Sequence, residues 1–303
     1  MQINKNINED FITEDKRMGK IIDDFRAFYG VSEMPFSLVP NTHFYLALPS
    51  HHECFNMLMF SIASNEGFMK VTGEVGTGKT LLCRRLLNTL ETQEYYSAYL
   101  PNPRLTPIEL KLAIAKELEI PDLDSTSDRD LLDIISLRLM DLALNKKKVI
   151  LIIDEAQALP EETLEELRLL TNLETESKKL MQIVLFGQPE LDQIINKYHF
   201  RQLRQRITFS HKLKTLDKKS VDYYVQHRMI AAGYNGEPIF ERSAIKLLFK
   251  ATKGTPRLIN IVCGKAMLIA FSRGQKKVKK AMVDTAIKDT EGVSFKNNWF
   301  AWG

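Results

Sequence analysis

The sequence lacks a long apolar segment. Among its 303 residues no run approaches the ~18 apolar residues of a transmembrane helix, and the nearest candidate, Leu258–Phe271, is interrupted by Lys265. Residues 1–20 are polar and mixed in charge, without the apolar centre of a secretory signal peptide. These absences favour a cytosolic location.

Cysteine and histidine are scarce. The three cysteines lie far apart, with no metal-ligand or redox spacing, and the six histidines contain no H-E-x-x-H pattern. His51 and His52 are adjacent and are expected to face different ways. The sequence therefore gives no indication of a zinc site or a thiol redox centre.

The excess of positive charge is small. The formal net charge is +4, and the one concentrated basic patch is Lys276–Lys280. We interpret this patch as a solvated loop between two helices; the alternative is a salt-sensitive contact with a phosphate backbone.

What the sequence does contain is a complete phosphate-binding loop. Residues 73–80 match G-x-x-x-x-G-K-[ST], with a strand predicted over 67–72 and a helix over 81–90. This strand–loop–helix context predicts a nucleotide site, and ATP as its ligand. Its expected members are Gly73, Glu74, Val75, Gly76, Thr77, Gly78, Lys79 and Thr80.

Each residue type in this loop suits the binding of a polyphosphate for a specific chemical reason. The glycines let backbone amides turn toward a polyphosphate, where a Cβ would obstruct the approach. Lys79 can reach the β- and γ-phosphates, and Thr80 can ligate Mg²⁺ while it opens a helix whose positive end faces the anion.

A second pattern supplies what hydrolysis requires. Val149–Ile153 is apolar throughout, as expected of a central parallel strand, and Asp154 and Glu155 follow at its carboxyl end, where open α/β sheets bind ligands. We expect Asp154 to hold Mg²⁺ and Glu155 to orient or deprotonate the attacking water. The alternative is a buried strand that ends in two solvated acids.

Three further candidates have weaker patterns. Gln188 follows a strand predicted over 182–186 and is placed to contact the attacking water or the γ-phosphate, unless it is only a polar turn residue. Arg204 and Arg206 end a helix before a strand over 207–213, and Arg257 opens a helix after Gly254-Thr255-Pro256. Each arginine can stabilise phosphoryl charge, or can be a solvated surface residue.

The alternation of strands and helices predicts an α/β fold. Strands over 67–72, 95–100, 149–154, 182–186 and 207–213 indicate a five-stranded parallel sheet with helices on both faces. Beyond Lys214 only helices are predicted, the first capped by Asp217. The expected domains are a flexible arm (1–25), a nucleotide-binding domain (26–214), a helical lid (215–292) and an aromatic tail (293–303) that includes Trp299 and Trp302.

In this order the motifs resemble those of AAA+ ATPases, and more narrowly the general secretion pathway protein A family of secretin-assembly and type IV pilus ATPases. The resemblance runs from Phe28 to about Thr290. Its most telling segments are Met34–Pro40, Thr72–Thr80, Ile153–Gln157, Phe186–Leu191 and Gly254–Arg257. Long members of the family continue into a membrane span and a peptidoglycan-binding domain, and this sequence contains neither pattern. Its length resembles that of the ATPases of mannose-sensitive haemagglutinin (MSHA) pilus biogenesis.

The resemblance implies roles for individual residues. Lys79 and Thr80 correspond to Walker A, and Asp154 and Glu155 to Walker B. Gln188 corresponds to sensor 1, although most AAA+ proteins have Asn, Ser or Thr there, and Arg257 to sensor 2. Arg206 matches the arginine finger best and Arg204 second, and Asn102 matches a switch residue that restrains Glu155. The implied strand order is 5-1-4-3-2.

The resemblance also implies a function. It predicts a Mg²⁺-dependent ATPase that assembles into a ring, with a hexamer expected, and that energises assembly of a type IV (MSHA-type) pilus or a secretin complex through an inner-membrane partner. Any membrane association would be peripheral, through that partner. A DNA-acting AAA+ regulator of the transposition type is the alternative. A DEAD-type helicase is disfavoured because no Ser-Ala-Thr motif follows Asp154-Glu155-Ala156-Gln157.

Overall fold

The structure is a computed structural model that describes residues 19–91, 94–101, 103–123, 127–174 and 179–293. It divides into two compact units, one formed by residues 47–214 and the other by the segments before and after them. None of the described helices combines the length and the apolar character that crossing a membrane requires.

Residues 47–214 form a parallel β-sheet. The strands are β1 (Phe68–Thr72), β2 (Tyr95–Leu100), β3 (Lys148–Ile153), β4 (Met181–Gly187) and β5 (Ile207–Lys212). Their order is β2-β3-β4-β1-β5, and all neighbouring pairs are parallel. Read from the other edge this is 5-1-4-3-2, so the order implied by the family resemblance is confirmed.

Helices cover both faces of this sheet. The described helices of the unit are α2 (Pro49–Ala63), α3 (Lys79–Leu90), α4 (Pro107–Glu117), α5 (Asp128–Leu144), α6 (Glu161–Leu170), α7 (Pro189–Ile195) and α8 (Arg201–Arg206). Several begin with a recognisable start signal: α4, for example, follows a capping box formed by Thr106 and Glu109. Because β3 and β4 are covered on both sides, nearly all of their residues are buried.

One expectation about α5 is wrong in part. The apolar residues of its sequence predict a stripe that packs on the sheet, made of Leu131, Leu132, Ile135, Leu137, Leu139 and Leu142. Leu137, however, is 66% exposed. The buried positions, Leu131, Ile135, Leu139 and Leu142, are spaced by three or four residues and so share one helical face. Leu137 is two residues from Ile135 and therefore points to the opposite side.

The second unit is helical. It contains α1 (residues 19–29), a 3₁₀ turn at Thr42–Phe44, and the helices α9 (Lys218–Ala231), α10 (Arg242–Thr252), α11 (Pro256–Ser272) and α12 (Lys280–Lys288). As predicted, Asp217 caps α9, its side chain accepting from the Ser220 amide.

The segment before residue 47 packs against these helices. Residues 19–25 were assigned to a flexible arm, but in the structure they are helical, and Phe25 of α1 contacts the rings of Tyr29 and Phe271. Arg228 of α9 donates to the carbonyls of Pro35 (2.6 Å) and Ser37 (3.0 Å). The aromatic segment around residues 28–46 thus completes the core of the helical unit.

Candidate functional site

The candidate residues of the larger unit lie at one edge of the sheet. Thr72 pairs with Gly187 between β1 and β4, and Ile153 pairs with Leu185 between β3 and β4. Because the strands are parallel, the residues that follow them emerge together at their carboxyl ends. The phosphate loop, the Asp154-Glu155 pair and Gln188 are therefore neighbours.

The phosphate loop is closed by its own hydrogen bonds. The Thr77 hydroxyl donates to the Glu74 carbonyl at 2.8 Å, and the Lys79 ammonium donates to the carbonyls of Gly73 (2.8 Å) and Glu74 (3.2 Å). Gly78 precedes α3 with φ of 99°, a left-handed conformation that glycine adopts without strain. The Lys79 ammonium thus lies inside the loop, where an anion would bind.

Burial and the neighbouring carboxylates have opposite effects on the pKa of Lys79. Burial lowers the pKa of Lys79, while the carboxylates of Glu155 and Asp154 raise it. Burial also raises the pKa of Asp154, opposed by hydrogen bonds from the Glu155 amide (2.9 Å to Oδ1) and from Thr80. The attraction between the Lys79 ammonium and the carboxylates therefore offsets part of the effect of burial, whereas the Glu155 carboxylate itself disfavours the charged form of Asp154.

Glu155 is held by two amide side chains. Its Oε2 accepts from Gln157 Nε2 at 2.6 Å and from Gln188 Nε2 at 3.2 Å. The Gln188 backbone amide donates to Gln157 Oε1 at 2.8 Å, so the three residues form a closed network. Glu155 also has φ of 53°, which is uncommon outside glycine and recurs at functional sites.

Helix α7 fixes the position of Gln188, which immediately precedes it. Asp192 of α7 accepts from the Thr72 hydroxyl at 2.9 Å and from the ammonium of Lys70, a residue buried in β1. A buried lysine needs such a partner because an isolated charge would be strongly destabilising there. The strand that leads into the phosphate loop is thereby joined to the helix that presents Gln188.

The donor set fits a magnesium nucleotide. Thr80 and Asp154 are already hydrogen-bonded to each other, so both oxygens lie within reach of one small cation. Mg²⁺ prefers one or two protein oxygens together with phosphate oxygens and waters. Thr80 and Asp154 are thus the residues that would hold it.

The two candidate finger arginines have different surroundings. Arg206 donates to the Arg168 carbonyl at 3.1 Å, to the Thr171 hydroxyl and to the Asn172 side chain, all at the end of α6. Arg204 is exposed and donates to the Asn196 carbonyl at 3.2 Å.

Arg257 lies in the first turn of α11, in the helical unit, and its side chain is exposed. The preceding Gly254 has φ of 74°, and a Cβ on it would lie 1.9 Å from the Leu216 carbonyl oxygen. Only glycine fits there, which explains the first residue of the Gly254–Arg257 motif. The sensor 2 role of Arg257 stays a prediction.

Sequence reasoning overlooked two contacts. Gln157 was part of a quoted motif but was given no role, and His51, whose Nε2 lies 2.8 Å from the Thr77 carbonyl, was not connected with the loop. No spacing rule predicts either contact, since each depends on how a turn or helix is oriented. Asn102, Trp299 and Trp302 lie outside the described residues.

Comparison with known proteins agrees with this geometry. A family model described as an AAA domain matches residues 62–195. Among solved structures, Cdc6p from Pyrobaculum aerophilum has a TM-score of 0.66 at 18% identity, covering 86% of this chain and 72% of its own. The ORC2 protein of Aeropyrum pernix has a TM-score of 0.63 at 15% identity, covering 87% and 73%. The fold and the site thus define an AAA+ P-loop protein.

A curated relative narrows the class. General secretion pathway protein A of Aeromonas hydrophila is 41% identical over 276 residues, which is 91% of this chain and 50% of the relative. The chain therefore belongs, over the region it shares, to the general secretion pathway protein A family of AAA+ proteins. It spans half the length of that relative.

Proposed function

We propose that this chain hydrolyses ATP and that Glu155 activates the attacking water. The observation that carries the proposal is the Glu155 carboxylate, directed by Gln157 and Gln188 at the sheet edge that also holds the phosphate loop. One oxygen of the carboxylate accepts both amide bonds. The other is left to accept a proton from water.

The remaining residues supply binding and charge. Lys79 pairs with the β- and γ-phosphates once nucleotide displaces its bonds to the loop carbonyls, and the loop amides donate hydrogen bonds to the phosphate oxygens. Thr80 and Asp154 would hold Mg²⁺, which would supply positive charge against the charge that develops on the transferred phosphoryl group. Gln188 couples binding of the γ-phosphate to the position of Glu155, because its side chain already donates a hydrogen bond to that carboxylate.

We further propose that the active site is completed by a neighbouring copy in a ring. In AAA+ proteins the arginine at the position of Arg206 or Arg204 serves the γ-phosphate of the next subunit, so an isolated monomer should be a poor ATPase. Arg206 would have to exchange its bonds to α6 for phosphate contacts, whereas Arg204 has a single bond to give up. Both therefore remain candidates.

The similarity to the general secretion pathway protein A family supports a proposal for the cellular role. We propose that hydrolysis energises assembly of a type IV (MSHA-type) pilus or a secretin complex, through an inner-membrane partner to which the chain associates peripherally. The support is the 41% identity to a protein named for the general secretion pathway.

The alternative, a DNA-acting regulator of the transposition type, would use Lys276–Lys280. Within that run Lys277 donates to the Pro238 carbonyl at 2.8 Å, and Lys276 lies over the Phe28 ring. Two of the four lysines in this run thus contact groups of their own unit, which disfavours a phosphate-backbone role.

Two experiments separate these functions. Glu155→Gln at the chromosomal gene should abolish pili or secretin multimers, because the variant would bind ATP without hydrolysing it. In parallel, purified protein at moderate salt should show no tight, ATP-dependent binding to duplex DNA. Normal pili and secretin multimers in the mutant cells, or tight ATP-dependent DNA binding, would contradict the envelope-assembly role; the second result would favour the DNA-acting one.

A further inference from the structure

His51 is a buried polar residue against the back of the phosphate loop. It lies near the start of α2, is only 5% exposed, and places Nε2 2.8 Å from the Thr77 carbonyl oxygen. Its neighbour His52 points to solvent, where its Nε2 pairs with the Asn56 side chain at 3.0 Å. The two adjacent histidines thus differ completely in environment.

The hydrogen bond fixes the state of the His51 ring. A carbonyl oxygen can only accept, so Nε2 carries the proton. Nδ1 is then an acceptor, and it is buried with no hydrogen-bond partner in the described part of the chain. Burial lowers the pKa of His51, against the hydrogen bond to Thr77, so the ring is neutral at neutral pH.

Because the peptide bond is planar, the hydrogen bond from His51 to the Thr77 carbonyl also orients the Gly78 amide. The Thr77 carbonyl and the Gly78 amide belong to one trans peptide unit, in which C=O and N–H point in opposite directions. When His51 draws the Thr77 oxygen toward α2, the Gly78 N–H must point away from α2. A Cβ on Gly78 would lie 3.1 Å from His51 Nε2, so glycine is also what allows the close approach.

We propose that His51 is a positioning residue of the phosphate site: it holds the Thr77–Gly78 peptide so that the Gly78 amide faces the polyphosphate. This assignment rests on the proposed nucleotide-binding function. An amide aimed in advance costs no reorganisation when the anion arrives. Without the hydrogen bond the Thr77 carbonyl can turn toward the anion and repel it.

The test compares four variants with the wild-type protein. His51→Gln places an amide donor as far from the backbone as Nε2, His51→Asn places it at the position of Nδ1, and His51→Met fills the space without a donor. His52→Met is the matched control from the solvent side of the same helix. Titration calorimetry measures the affinities for ATP, ADP and adenosine, and thermal unfolding checks that each variant is folded.

We expect His51→Met and His51→Asn to bind ATP and ADP about tenfold or more weakly, because a buried carbonyl loses its donor beside the ligand. His51→Gln should restore most of the affinity, and adenosine binding should not change in any variant. His52→Met should match the wild type. Because the loss requires phosphates, it separates positioning of the loop from general destabilisation.

Other outcomes overturn the assignment. Three results would each remove His51 from this role. They are equal ATP affinity in wild type and His51→Met, an equal loss of affinity for adenosine, and failure of a folded His51→Gln to recover affinity. If wild-type protein binds no ATP, the proposed function fails as well, so the two failures are distinguishable.

Discussion

The phosphate site and helix α8 both present charged candidates, but their surroundings differ. Lys79, Asp154 and Glu155 lie at one sheet edge, where the two carboxylates raise the pKa of Lys79 against the effect of burial. Arg206 instead donates to three groups at the end of α6, and Arg204 to a single carbonyl. The first set is arranged for a ligand within the unit, whereas in the second set Arg206 is held by its own fold and Arg204 is exposed with one backbone contact.

This difference has a topological origin. Residues that follow parallel strands must meet at the carboxyl edge, so strand positions in the sequence bring the acids to the phosphate loop. A short helix such as α8 has no comparable constraint, and its neighbours decide which of two similar arginines becomes fixed. The following predictions test whether the two regions differ in function as they do in structure.

The largest effect is expected in the phosphate site. Lys79→Ala removes the one ammonium inside the loop and should weaken ATP binding by roughly 30-fold or more, the cost of truncating a buried charged pair. Fluorescent-nucleotide titration measures the loss, with thermal unfolding to verify the fold. Undiminished affinity would show that the loop does not bind the phosphates.

Substitution of the two arginines should affect the stability of the protein to different extents. Arg206→Ala leaves three α6 groups without their donor and should lower the free energy of unfolding by about 1–3 kcal/mol, while Arg204→Ala should change it by less than about 0.5 kcal/mol. Urea denaturation of the two variants measures this difference. Equal stability would mean that the α6 contacts contribute nothing.

ATP hydrolysis by the same two variants identifies which residue is the arginine finger. The variant that lacks it should bind ATP normally, hydrolyse it poorly, and recover some activity when mixed with Lys79→Ala protein, since one mutant supplies the finger and the other the site. Activity per protomer should also rise with concentration. Full activity of dilute monomer, or no recovery in mixtures that demonstrably co-assemble, would contradict a shared site.

A smaller effect is expected at Gln157. Gln157→Leu removes one of the two amide bonds that direct Glu155, so kcat should fall several-fold while KM for ATP is nearly unchanged. Gln182→Leu is the matched control, because Gln182 is buried in β4 and bonds the carbonyls of Ile62 and Glu66. If both variants lose kcat equally, Gln157 acts through stability alone.

The sequence predicted most of the fold because local pattern and topology agreed. The apolar run Val149–Ile153 is typical of a buried parallel strand, and the order 5-1-4-3-2, implied by the family resemblance, is the order observed. Leu137 was assigned to the wrong face because the apolar residues of α5 occupy more than one side of the helix.

Side-chain partners were harder to predict than strands. That His51 and His52 face different ways follows from helical geometry, but that His51 meets the Thr77 carbonyl depends on the tertiary position of α2. Likewise, the contact of Gln157 with Glu155 depends on a left-handed residue at 155, which no sequence rule signals. Contacts between elements are set by packing, not by local pattern.

The central claim, that Glu155 is the base in an ATP site assembled at the sheet edge, is tested most directly by Glu155→Gln. This change keeps the shape of the side chain and removes its capacity to accept a proton. Single-turnover measurement on the assembled protein should show wild type converting bound ATP to ADP while Glu155→Gln retains ATP at unchanged affinity. Hydrolysis by Glu155→Gln at the parent rate would contradict the account.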